Sequence, residues 1–189
     1  MKRLKFKISF NAPVILSFVL ACFAVLIIGI VTGGYSNSLL FMTYHSSLLS
    51  PLTYIRFFTH VLGHEGWEHF IGNMAYILLL GPMLEEKYGS SKILGIMCVT
   101  ALVTGLLNYL LFWNTALCGA SGIVFAFILL TSFTSFKEGE IPLTFILVAI
   151  IFIGQQIYDG IFIRDNVSNL SHIAGGVIGA ISGYVSNRK

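Results

Sequence analysis

Charge is scarce in this chain. Only 10% of its 189 residues are Asp, Glu, Lys or Arg, against about 25% in a soluble domain, which excludes an ordinary water-soluble globule. Cysteine is scarce as well. Cys22, Cys98 and Cys118 are an odd set without metal-ligand spacing, so no disulfide framework is expected. There is no repeat, linker, low-complexity tract or compositional break, and residues 1–189 read as a single domain. Paired charges and inverted repeats, which would mark the ion path of a transporter, are also missing.

What is present is apolar, with 56% hydrophobic residues. Eleven Lys and Arg against eight Asp and Glu give a net charge of +3. In so apolar a chain that excess reads as membrane topology, not as affinity for nucleic acid. Uncharged stretches cover residues 13–34, 70–84, 93–136, 141–158 and 166–187, and a spanning helix needs roughly 20 apolar residues. The 93–136 stretch is long enough for two, broken around Trp113-Asn114-Thr115. The expectation is an all-α membrane protein of six transmembrane helices, near 13–32, 67–84, 92–112, 121–136, 141–158 and 169–186. A basic start followed by an apolar run that continues past Cys22 reads as an uncleaved first helix.

Lys2, Arg3, Lys5 and Lys7 place the N-terminus in the cytoplasm by the positive-inside rule. Lys87, Lys92, Lys137, Arg188 and Lys189 then fall on the same side, leaving Arg56 and Arg164 outside. Both termini are therefore expected to be cytoplasmic, in a multi-pass protein of a bacterial-type inner membrane. The outer connection over residues 35–63 is unusually apolar, with Leu39, Leu40, Phe41, Tyr44, Leu48, Tyr54 and Phe58. It is expected to lie partly in the membrane interface.

Counting along the helices at about 1.5 Å per residue puts Ser121, His172, Asn73 and His69 at one level, sunk below the outer surface. Polar groups at such depth are costly and mark a functional site. Their chemistry is complementary. Ser121 supplies a hydroxyl, and His172 supplies a base suited to neutral pH. Asn73, His69 and the free N–H groups at the start of the fourth helix can donate to a developing oxyanion. Gly119 and Gly122 flank Ser121 without bulk. Gly175, Gly179 and Gly183 repeat every four residues along one face of the sixth helix, a pattern that lets helix backbones approach closely.

These segments resemble the rhomboid family of intramembrane proteases. Gly119-Ala120-Ser121-Gly122 looks like its nucleophile motif, His172-Ile173-Ala174-Gly175 with Gly179 like its histidine motif, and His69-Phe70-Ile71-Gly72-Asn73 like its HxxxN stretch. The similarity extends over most of residues 55–183. It implies a rhomboid-like bundle with Ser121 as nucleophile, His172 as general base, and His69 and Asn73 as oxyanion and substrate-positioning groups. Phe125 stands where the family often has Tyr and is placed to stack on the His172 ring. The absence of an aspartate from the motifs fits a Ser/His dyad. The implied activity is endoproteolysis of transmembrane protein substrates in the lipid bilayer, without cofactor or metal.

Two other readings compete with it. A zinc protease is suggested by His60, His64, Glu65 and His69, but His64-Glu65 is followed by histidine at i+5 and not at the i+4 that H-E-x-x-H requires. A non-catalytic rhomboid-like protein that binds membrane helices would have no need of both Ser121 and His172.

Overall fold

The computed structural model describes residues 8–134, 140–162 and 169–187. Lys2, Arg3, Lys5, Lys7, Lys137, Arg164, Arg188 and Lys189, on which the orientation rests, lie outside the described residues. The described chain is all-helical: α1 (Pro13–Val31), α2 (Pro51–Thr59), α3 (Trp67–Tyr88), α4 (Ser90–Leu111), α5 (Ser121–Thr131), α6 (Leu143–Phe162) and α7 (Asn169–Asn187). Helices satisfy their own backbone polar groups, the condition an apolar surrounding imposes. Three of them, α1, α4 and α6, are long and apolar enough to cross a membrane unaided, and α5 is apolar but shorter.

Each of the six expected helical stretches is a helix, but three end elsewhere, the fifth running past residue 158 to Phe162. The fourth stops at Thr131. The hydroxyls of Ser132 and Thr134 turn back onto the carbonyls of Ile128 and Thr131, at 3.4 and 2.8 Å, competing with the backbone for its acceptors. The second helix runs past residue 84 to Tyr88, through Glu85, Glu86 and Lys87. Those charges do not end it, because the Glu85 carboxylate is turned inward. It accepts the N–H groups of Val14 and Ile15, both at 3.0 Å, and the Ser90 hydroxyl at 2.7 Å. The carboxylate thereby caps the positive end of α1. Gly89, at φ +84°, closes α3.

The outer connection is a folded structure. It holds α2 and a π-turn over Asn37–Phe41. Leu48, Leu49, Tyr54 and Phe58 remain exposed, while Thr53, Arg56 and Phe57 are buried. Arg56 Nε donates to the Leu39 carbonyl at 2.9 Å, and its guanidinium lies 4.5 Å from the centre of the Tyr44 ring. Gly105 of α4 lets the α2 backbone press close: a Cβ there would sit 2.9 Å from the Phe57 carbonyl oxygen.

α5 is the innermost helix, with every residue from Ile123 to Leu130 buried except Phe125. A helix apolar on all sides is stable only when surrounded. Its closest neighbour is α7, and the glycine stripe is the reason. A Cβ at Gly175 would overlap the Gly122 carbonyl, one at Gly179 the Ala126 carbonyl, and one at Gly183 would lie 2.7 Å from the Phe133 ring. The first two obstacles are backbone and cannot yield; the third is a side chain that can turn. Gly175→Val is therefore expected to force α5 and α7 apart, at an overpacking cost of about 1–3 kcal/mol. Gly183→Val should be milder. Thermal unfolding of both variants in the same detergent checks the order, and equal midpoints would remove the distinction.

Candidate active site

The site begins with the segment that delivers Ser121. Residues 112–120 contain no helix, and their backbone is tied down by the outer connection. Thr43 and Leu117 exchange N–H to carbonyl bonds at 2.9 and 2.8 Å, and the Gly119 N–H donates to the His60 carbonyl at 2.9 Å. Gly119 has φ +121°, a conformation L side chains rarely adopt. It also needs to be small, since a Cβ would lie 2.6 Å from His69 Nε2. From this turn α5 starts at Ser121, whose side chain stands at the helix N-terminus beside N–H groups that have no intrahelical partner.

His172, one turn into α7, faces it. Ser121 Oγ is 2.8 Å from His172 Nε2. The Phe125 ring stacks on the imidazole at 4.6 Å between centres and 3° between planes. The other ring nitrogen, Nδ1, lies 2.6 Å from Gln156 Oε1 on α6. Beside the pair lies a partly open cavity of about 640 Å³ lined by Glu65, His69, Asn73, Ser121, His172 and the 114–118 segment. The four polar residues expected at one depth thus share one cavity. Asn73 is buried, and its Nδ2 donor has no partner among the described residues. Gly175 and Gly179 do not line the cavity and act through packing, while a Cβ at Gly122 would lie 3.2 Å from Thr104 Cγ2.

Cys118 and His64, beside the site, are held neutral. Burial, reinforced by the negative charge of Glu65, pushes the Cys118 thiol up to about 12, so this cysteine is no thiolate at neutral pH and no rival nucleophile. Burial also pushes His64 down to about 4, with His69 acting in the same direction. His64 and His69 meet edge to face at 5.1 Å. Among the described residues no three His, Cys, Asp or Glu side chains converge as metal ligands.

Gln156 was not anticipated. Its signal was the polar pair Gln155-Gln156 in an apolar helix, but a hydrogen bond to His172, 16 positions on, has no local signature. Glu65, which belongs to the histidine cluster that suggests a zinc protease, lies on the cavity wall.

The Rhomboid domain model matches residues 51–189. The chain belongs to the rhomboid family. Among its relatives, Rhomboid-related protein 1 of Caenorhabditis elegans is 33% identical over 69% of this chain and 39% of its own length. Rhomboid protease GlpG of Haemophilus influenzae is 22% identical over 82% of both chains. Rhomboid protease GlpG of Yersinia pestis is 26% identical over 93% of this chain and 63% of its own. This rhomboid chain therefore spans well under half of the nematode relative and somewhat under two thirds of the Yersinia one.

In this rhomboid, Gly119→Ala is expected to lose about 1–3 kcal/mol to backbone strain, in addition to displacing His69. Denaturation of the two proteins side by side measures the loss. An unchanged midpoint would show that the turn relaxes and the His69 ring swings away at no cost.

Proposed function

We propose that the chain is an intramembrane serine endopeptidase, with six spans and both termini cytoplasmic, that cleaves transmembrane or membrane-adjacent segments of membrane proteins. The observation that carries this reading is the 2.8 Å pair of Ser121 Oγ and His172 Nε2 lining a polar cavity. A serine becomes a nucleophile when a base at that distance takes its proton. An integral membrane location follows from family and apolar helices, and the GlpG relatives of two bacteria favour a bacterial inner membrane.

In the proposed reaction Ser121 Oγ attacks the carbonyl carbon of the scissile bond while its proton passes to His172 Nε2. The carbonyl oxygen becomes an oxyanion that accepts hydrogen bonds from the unpartnered Asn73 Nδ2 and from N–H groups at the start of α5. His69, packed over Gly119, positions the substrate beside them. The tetrahedral species then collapses and the C–N bond breaks. The amine leaves with the proton from His172, and the acyl group stays on Ser121 as an ester. Water attacks the ester with His172 again taking the proton, and release of the acid restores the hydroxyl. No cofactor or metal enters these steps.

Ser121→Ala and His172→Ala are each expected to abolish cleavage of single-span membrane substrates by the purified protein, with folding intact. The double variant should be scarcely worse than either, because the two groups act as a unit. Substantial turnover by Ser121→Ala would sink the assignment. A wild type that binds such substrates but neither cleaves them nor reacts with a fluorophosphonate would be a rhomboid-like binding protein instead.

Asn73→Ala should lower kcat by roughly 10- to 1,000-fold with little change in KM if Asn73 donates to the oxyanion. An unchanged kcat in steady-state assays would return Asn73 to a packing role.

A further inference from the structure

α6 differs from every other helix in how it meets the protein. Its apolar side chains are exposed or half-buried throughout, and Gln156 is its one buried residue among the side chains described. That is the reverse of what transfer energetics favours, since a carboxamide withdrawn from water is costly unless its polar atoms are paired. Its neighbour Gln155 is exposed. The pairing is found on His172, where Gln156 Oε1 and the imidazole Nδ1 are 2.6 Å apart.

We propose that Gln156 is a positioning residue for the Ser121/His172 pair: it accepts the Nδ1–H of His172 and so holds the imidazole in the tautomer whose Nε2 can take the serine proton. The inference rests on the protease reading above. A neutral imidazole carries one donor and one acceptor nitrogen, and which is which is set by the partner of the other. A base for Ser121 needs its lone pair on Nε2, which requires the proton on Nδ1. An amide oxygen facing Nδ1 favours that arrangement, and a ring with the proton on Nε2 would point two acceptors at each other there.

The stacked Phe125 does not supply this control. Rings 3° from parallel restrain the tilt of the imidazole but leave it free to rotate in its own plane. Hydrogen bonds at both nitrogens, 2.8 Å to Ser121 and 2.6 Å to Gln156, remove that rotation. Gln156 needs no charge for the task. It would fill the place a carboxylate or carboxamide takes behind the histidine in other nucleophilic triads, from a third helix.

The test compares wild type, Gln156→Leu, Gln156→Glu and, as a control, Gln155→Leu, all in one detergent with thermal unfolding recorded. Leucine matches an apolar helix but cannot accept a hydrogen bond, whereas glutamate can. Gln156→Leu is expected to lose about 10- to 100-fold in kcat, part of the roughly 100- to 10,000-fold that a positioned base supplies, with KM within about twofold of wild type. Fluorophosphonate labelling of Ser121, which needs the base but no protein substrate, should slow in parallel. Gln156→Glu should recover most of the labelling rate, and Gln155→Leu should match wild type. The proposal is overturned if folded Gln156→Leu is labelled and turns over within twofold of wild type, if Gln155→Leu loses as much, or if Gln156→Glu is as slow as Gln156→Leu. A wild type that neither cleaves nor reacts would instead bring down the protease reading itself.

Discussion

At two successive turns a carbonyl oxygen of α5 occupies the space that a side chain of α7 would otherwise fill, over Gly175 and Gly179. Between helices in a bilayer there is little hydrophobic force to gain, because lipid is as apolar as a side chain, and close van der Waals packing takes its place. The two glycines set that closeness, and the site inherits it. Ser121 opens α5 one residue before Gly122, and His172 lies three residues before Gly175, so the backbone contact brings the two side chains face to face. The same contact makes α5 the centre of the bundle, where a short helix apolar on all sides is stable.

The second requirement is that irregular backbone near the site be satisfied. Buried amide and carbonyl groups need partners, and the outer connection supplies them. Asn108 of α4 donates to the carbonyls of Thr43 and Thr115 at 3.1 and 3.0 Å, bridging the outer connection to the segment before Ser121. Arg56 is spent on a carbonyl and an aromatic face within the connection itself. The position of the proposed nucleophile is thus held from two directions, by α7 from the side and by the outer connection from above.

Among the described residues, the proposed base is held from three directions. Ser121, Phe125 and Gln156 approach His172 along one ring nitrogen, the ring face and the other ring nitrogen. Two of these come from α5, which is buried, and one from α6, which otherwise turns apolar side chains outward. In an apolar bundle, protein partners at both nitrogens fix the orientation of such a histidine.

Much of this was legible in the chain. The absence of charge over long stretches located the helices, since no charged residue is readily buried in lipid, and glycine spacing marked the face of α7 that meets α5. Depth counted along the helices grouped Ser121, His172, Asn73 and His69, because residues per turn and rise per residue are properties of any α-helix. Local pattern misjudged what depends on a distant partner. Glu85 read as the charged end of a helix but caps α1 from inside α3. The apolar outer connection, expected to lie partly in the membrane interface, contains a helix, α2, and a buried Arg56 that its local pattern does not announce. Gln156 is not marked by the sequence, because a hydrogen bond to another helix leaves no trace in the periodicity of its own. Periodicity and hydropathy are one-dimensional and determine which segments become helices and which residue types lie at a given depth. The rotation of each helix about its axis, which turns Gln156 inward and Gln155 outward, arises only when the helices pack against one another.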